Sequence, residues 1–255
     1  MLVFIAALMI ASFLDPVDPA KINMSDRLLP ISSEHFLGTD HMGRDLFSRI
    51  LAGAQSTVGT AFLVLFISFI IGLPIGLIAG YAGGITDRFF MRIADAFMAF
   101  PDYIIAIILT GLIGPGLVNL IMAIVMVKWV GYSRLVRSVV ISEKEKDYVQ
   151  MAKINGASSA LIIRKHLLPH VLGHLLVMVT LDIGKVILMI ASLSYIGLGP
   201  QPPSPEWGAM LNESKAFFYN APQLMIIPGL AIMLVVLVFN LMGDQLRDKL
   251  DVKNR

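Results

Sequence analysis

TVGTAFLVLFISFIIGLPIGLIAG, residues 57–80, runs through 24 positions without one charged side chain. Crossing about 30 Å of hydrocarbon at roughly 1.5 Å per residue takes about 20 apolar residues in a helix. The stretch is long enough to span a bilayer, and that reading decides the fold class. Four more stretches pass the same test, near 89–113, 117–141, 170–197 and 223–242. A sixth, MLVFIAALMIASFL at 1–14, is apolar but short, stops at Asp15-Pro16 and has no basic residue before it. It is expected to be a first transmembrane helix that has lost its inner end. A cleaved signal is the alternative, although the basic leading region of a signal is lacking.

The composition agrees with a bilayer as solvent. Of 255 residues, 56% are hydrophobic and 15% charged, and the mean hydropathy is +0.78, far from ordinary globular usage. The chain has no cysteine, so disulfides, thiolate metal sites and cysteine nucleophiles are excluded. A net charge of +2, with basic residues scattered among loops, gives no reason to expect nucleic acid as a partner. No repeat, low-complexity tract or linker divides the chain. The expectation is an all-α polytopic membrane protein of about six transmembrane helices, forming one transmembrane domain over 1–255.

Basic residues orient it. With the N-terminus inside, six spans place 82–88, 142–168 and 243–255 in the cytoplasm. Thirteen basic residues, from Arg88 to Arg255, fall in or beside those segments, against five outside (Lys21, Arg27, Arg44, Arg49 and Lys215). That asymmetry follows the positive-inside rule. Segments 15–50 and 198–222 are then extracytoplasmic, and Pro200, Pro202, Pro203 and Pro205 predict that the second is stiff rather than helical. Pro74, Pro101 and Pro228, with Gly72, Gly76 and Gly80, interrupt apolar segments. Such breaks suit a transport bundle and equally suit plain packing kinks.

The inner segment DYVQMAKINGASSALIIRKHLLPH, 147–170, is amphipathic and divided by one glycine. Ala152, Ala157 and Ala160 favour helix, and Gly156 can take the left-handed conformation that ends one helix and lets another start at an angle. Pro169 marks the entry to the next span. A short surface helix with small residues on its exposed side suits a groove on another protein. An interfacial helix turning Lys153, Arg164 and Lys165 to lipid headgroups is the alternative.

The spacing of Ala152, Gly156, Leu168 and Pro169 resembles the cytoplasmic loop of ABC importer permeases, where Glu-Ala-Ala and a following Gly precede Leu-Pro. Gln150, Met151 and Ala152 stand here in place of Glu-Ala-Ala, so an acidic group is replaced by an amide. LGTDHMGRDLFSRILAGAQST (37–57), YAGGITDRFFMRIADAFMAFP (81–101), SYIGLGPQPPSPEWGAML (194–211) and PGLAIMLVVLVFNLMGDQLRDKLD (228–251) resemble successive blocks of the dipeptide, oligopeptide and nickel permeases of second-subunit type. The resemblance implies the type I importer fold in the cytoplasmic membrane of a bacterium or archaeon. It also implies a coupling helix built from Gln150, Met151, Ala152, Lys153, Asn155, Gly156, Ala157, Leu168 and Pro169. The implied partners are a second permease subunit in a heterodimer, two ABC ATPase subunits, an extracytoplasmic solute-binding protein and membrane lipid. ATP and magnesium then belong to the ATPases, and this chain binds no cofactor. The stretch LVNLIMAIVMVKWVGYSRLVRSVVIS and the run TLDIGK (180–185) are more similar to the nickel and metallophore branch than to the peptide branch.

Charges inside spans cost several kcal/mol unless they face protein or water. Lys128, Asp182 and Lys185 are therefore expected to do so. Asp182 and Lys185, three apart, share a helical face and can pair. With Met178 and Met189 they are candidates to line the translocation pathway, or else a buried ion pair that fixes packing. Lys128 is expected to line that path, snorkel or pair with the partner permease. His166, His170 and His174 recur every four residues, but no carboxylate shares their row and no metal site is expected there. Asp40, His41, Arg44 and Asp45 have no nucleophile beside them, so no catalytic residue is expected. Asp40 is expected to cap the helix that leads into the span, and Asp45 to pair with Arg49. Glu206 and Trp207 are candidates to contact the binding protein, or an interfacial aromatic anchor.

No glycine-rich phosphate loop ending in Lys-Ser or Lys-Thr is present, so the chain is not expected to hydrolyse ATP itself. An ion-coupled secondary transporter is the competing class. It leaves the glycine-divided inner loop without a purpose.

Overall fold

The structure, a computed structural model, describes residues 17–253, with side chains through residue 248. The apolar stretch 1–14 lies outside the described residues. Among them, the regular structure is helical apart from one bridge pair between Thr39 and Asp45. Helix α1, Leu46–Ala82, contains the 57–80 stretch and carries Pro74 within it. At 37 residues it is about 55 Å long, well beyond what the hydrocarbon core requires. The predicted single span at 89–113 is instead two helices, α2 (Gly84–Met98) and α3 (Asp102–Ile113), bent by 87°. Pro101 is the cause. It lacks the N–H that would continue α2, and its ring drives Phe100 out of the helical region. The Pro101 carbonyl then accepts from Ile104 at 2.9 Å and starts α3.

Helix α4 covers Leu117–Lys144 and α5 covers Asp147–Ile154. Helices α6 (Ser159–Ile162) and α7 (Leu168–Tyr195) are joined by a π-turn at Ile163–Leu167 into one run of 37 residues. Pro169, expected at the entry to the next span, lies within this run without breaking it. The π-turn widens the backbone just before it, so the proline ring meets less of the preceding turn. The last helices are α8, Trp207–Ser214, and α9, Gln223–Lys253. Among the described residues, α1, α4, the α6–α7 run and α9 are each long and apolar enough to cross a membrane, and the bent α2–α3 pair makes five.

The chain forms two compact units. One holds the residues up to Leu63, Leu109–Ile121 and Ile183–Met242. In it the Trp207 side chain is fully buried and its indole N–H donates to the Ile50 carbonyl at 3.0 Å. Gly53 leaves room for the ring, since a β-carbon there would stand 2.5 Å from Trp207 Cδ1. The 198–222 segment is thus partly helical. Its proline cluster ends at Pro205, and Glu206 caps α8 directly after it.

The other unit holds Val64–Ile108, Met122–Asp182 and the residues from Gly243 on. Here Gly72, Gly76 and Gly80 form a stripe on α1 that lies against α4. A β-carbon on Gly76 would stand 2.4 Å from the Ser133 carbonyl oxygen, and one on Gly80 would stand 2.9 Å from Val140 Cβ. Small residues at a spacing of four let two helix backbones approach closely, which packs apolar helices without a hydrophobic driving force. Ala94, Trp129 and Val130 build a core beside this seam, with Phe97 edge-on to Trp129. The seam thereby settles the glycines as packing residues.

Candidate functional site

The inner loop of the sequence reading forms a compact assembly in the second unit. Two residues, Glu145 and Lys146, separate α4 from α5. Helix α5 ends at Asn155, and Gly156 takes φ 80°, the left-handed conformation expected of it. The Gly156 N–H donates to the Lys153 carbonyl and the Ala157 N–H to the Ala152 carbonyl, each at 3.0 Å. Together these bonds satisfy two carbonyls that the end of a helix leaves open. Ser158 follows and caps α6 by accepting from the Leu161 N–H. Turn, cap and helix start occupy consecutive residues, so α5 is held at a fixed corner.

The exposed side of this corner differs from the expectation. Ala152 and Ala157 are half-buried, whereas Met151, Ile154 and Leu161 are exposed at 57%, 77% and 48%. Ala152 and Ala157 turn inward, Gly156 and Ala160 stay exposed as expected, and large apolar side chains share the outer face with them. Beside them a cavity of about 400 Å³ is lined by Tyr81, Lys144, Gln150, Lys153 and Ser159 among others. Gln150 is half-buried, and its amide donates to the Lys144 carbonyl at 2.8 Å. Glu143 accepts from Lys146 Nζ and from the Tyr148 hydroxyl, both at 2.6 Å. Burial, and then the bond to Glu143, push the Tyr148 phenol up to about 12, so it stays a donor at neutral pH. Leu168 is half-buried and Pro169 exposed.

Of the residues expected along a pathway, Asp182 is buried and accepts from the Tyr132 hydroxyl at 3.3 Å. Tyr132 was not singled out in the sequence, because a tyrosine in an apolar helix carries no local sign of its partner. Met178 lies next to Gly131 on α4, and Met189 is buried. Lys185 is exposed. Lys128 pairs with Asp102 at the start of α3, 3.1 Å away, so it has a counter-ion within this chain. His166 and His170 both flank the Tyr148 ring, and His174 Nδ1 engages the His170 carbonyl oxygen at 2.9 Å.

Glu206 and Trp207 are corrected outright. Both are fully buried, so neither is a contact for a binding protein or an interfacial anchor. Glu206 accepts from Gly208 N–H, Ala209 N–H and the Thr57 hydroxyl at 2.9, 2.8 and 3.1 Å, and Thr57 also accepts from Trp207 N–H. This is a peg that fastens α8 to α1. Thr57 lies 150 positions from Trp207, and no short-range signal joins them.

The Asp40 cluster is likewise structural. Asp45, not Asp40, caps α1 by accepting from Ser48 N–H at 2.8 Å. Asp40 instead holds Arg44 at 2.6 Å and Arg49 at 3.6 Å, and Glu213 binds both guanidiniums. Arg49 therefore pairs with Asp40 and Glu213 rather than with Asp45. Burial also holds the stacked His41 imidazole below its ordinary value. Asp40, His41 and Glu213 bring three possible ligand atoms within 4.8 Å of one another. A cation there would displace or face two buried guanidiniums that already neutralise the carboxylates, so the donor set does not suit a metal.

Comparison with known proteins follows the same lines. Residues 72–253 match the family described as "Binding-protein-dependent transport system inner membrane component". The nickel transport system permease protein NikC of Escherichia coli is 42% identical over 236 residues, which covers 92% of this chain and 85% of that protein. The dipeptide transport system permease protein DppC of Alkalihalophilus pseudofirmus is 43% identical, covering 98% of this chain and 82% of that one. The glutathione transport system permease protein GsiD of Pectobacterium atrosepticum is 42% identical, covering 99% and 84%. Among solved structures, an inward-facing form of the MetNI methionine ABC transporter superposes with a TM-score of 0.62 at 20% identity, over 80% of this chain and 97% of that one. An amino acid ABC transporter gives 0.60 at 16% identity, over 80% and 94%. These two structures support the fold alone.

Proposed function

The chain belongs to the inner-membrane components of binding-protein-dependent transport systems, the permeases of ABC importers, and on that premise we propose that it carries nickel or a metal chelate across the cytoplasmic membrane. It works as one half of a permease heterodimer. Two ABC ATPase subunits dock on its inner face and hold the ATP and magnesium, and an extracytoplasmic binding protein delivers the cargo. Gln150, Met151, Ala152, Lys153, Asn155, Gly156, Ala157, Leu168 and Pro169 form the coupling element. The observation that carries this reading is the apolar ridge of Met151, Ile154 and Leu161 around the capped corner at Gly156. Two large side chains left bare on the short helix α5, with Leu161 exposed at the start of the α6–α7 run, match a helix that lies in a groove of another protein.

The metal reading of the cargo rests on the nickel permease at 42% identity and on the 117–142 and 180–185 stretches. Peptide is the second reading, favoured by the dipeptide and glutathione permeases, which match 98% and 99% of the chain. Asp182, held by Tyr132, is the polar group around which a pathway is built, with Lys128, Met178, Lys185 and Met189 as further lining. The ion-coupled transporter is set aside by the family.

Uptake separates these readings. Cells lacking their own importers and supplied with the complete transporter are expected to accumulate radioactive nickel, and dipeptide uptake without nickel uptake would reverse the cargo. Gly156→Trp is expected to abolish co-purification of the ATPase subunits, because a side chain in the left-handed turn opens the corner. Retained assembly and uptake in that variant would remove the coupling reading.

A further inference from the structure

The joint between α4 and α5 is only two residues long, and short joints between helices normally act as hinges. Here it is crossed by side chains on both sides. The Gln150 amide reaches back from α5 to the Lys144 carbonyl at 2.8 Å, one of the carbonyls that the end of α4 leaves open. Glu143 on α4 accepts from Lys146 in the joint and from Tyr148 on α5, both at 2.6 Å. Lys144 itself extends Nζ to the Gly80 carbonyl at 3.1 Å, near the end of α1. A hydrogen-bonded chain therefore runs from Gln150 through Lys144 to Gly80. The other end of α5 has no side-chain tie of this kind among the described residues. It turns at Gly156, where a β-carbon would meet nothing within 4 Å. One end of the short helix is splinted by side chains, and the other is turned by backbone hydrogen bonds alone.

We infer that Gln150 is a positioning residue that splints the coupling helix to α4 and, through Lys144, to α1, so that a push on the ridge at Ile154 moves those two helices as one body. This deepens the coupling reading above and rests on it. The amide is what the bond to the Lys144 carbonyl requires. A glutamate of the same shape has no hydrogen to give the Lys144 carbonyl, and it would add a negative charge beside Glu143 and Glu145.

The test uses the assembled transporter with its ATPases and binding protein, reconstituted in vesicles. Cargo is the radioactive nickel or labelled dipeptide that the parent carries, and hydrolysis is measured in parallel. In Gln150→Glu and the uncharged Gln150→Met, cargo moved per ATP hydrolysed by the assembled complex is expected to fall about five-fold, the ratio that one ordinary hydrogen bond sets. Gln150→Lys, which retains a donor, is expected to restore the ratio. The chain has no cysteine, so spin labels at Ser142→Cys and Lys153→Cys report the joint directly. Their distance distribution is expected to be narrow in the parent and broad in Gln150→Met.

An unchanged ratio and an unchanged distribution in both variants would overturn the splint while leaving the docking reading intact. Loss of the ATPases from Gln150→Met would also overturn it, by making Gln150 a docking contact. If Gly156→Trp keeps its ATPases, the docking reading fails and the splint fails with it.

Discussion

Glu206 lies in an environment that is hard on its charge. It is wholly buried, and burial outweighs its hydrogen bonds to hold the carboxyl above its ordinary value. The sign for stability follows from that direction. A group that binds its proton more tightly folded than unfolded adds stability that is complete below the unfolded pKa and is lost as pH rises through the folded one. The melting temperature of the detergent-purified protein is therefore expected to decline as pH climbs from the ordinary carboxylate range. Glu206→Gln is expected to flatten that decline, although it leaves Ala209 N–H facing an amide and lowers the whole curve by about 1–3 kcal/mol. A slope equal to the parent's would show that Glu206 is not the source.

At the scale of elements, the seam between α1 and α4 depends on the absence of side chains. Gly76→Leu puts a branched chain where even a β-carbon meets the Ser133 carbonyl oxygen at 2.4 Å. The helices must separate, and the expected cost is about 1–3 kcal/mol. It is read as a lower melting temperature and a smaller yield of folded protein in detergent. Gly111→Leu, where a β-carbon meets nothing within 4 Å, is expected to leave melting close to the parent's. The glycine stripe was visible in the sequence as a spacing of four, but its partner was not, since spacing alone cannot distinguish a kink from a contact. Gly156 was legible because one glycine in an amphipathic stretch has few other uses. Pro169 was legible only as the entry to a span, because a proline marks strain without saying whether the backbone breaks or widens to absorb it. The break at Pro101 fell inside a continuous apolar run, where hydropathy gives length and not direction.

For the whole molecule, the sidedness proposed from basic residues can be tested without background labelling, since the chain has no cysteine. Tyr219, 95% exposed in the 198–222 segment, and Ile154 on the coupling ridge are the two probes. In spheroplasts, Tyr219→Cys is expected to react with an impermeant maleimide, and Ile154→Cys only after the membrane is opened. Labelling in the opposite sense would invert the orientation. Four of the expected spans, a bent fifth and the family were legible because they are written in local runs of residues. The fastenings of the first unit were not, because Trp207 with Thr57 and Arg44 with Glu213 pair across 150 and 169 positions. A loop rich in proline looked solvent-facing for want of the distant helix that covers it. The Arg44 and Arg49 pair has one more consequence, which concerns the order of synthesis. The ribosome makes both arginines long before Glu213, so for most of translation the cluster holds two positive charges and only one of its acids. It closes when nearly the whole chain has emerged, so a chain cut short before residue 213 carries an unneutralised, unpacked outer segment. The cluster thus separates a chain that has reached residue 213 from one that has not.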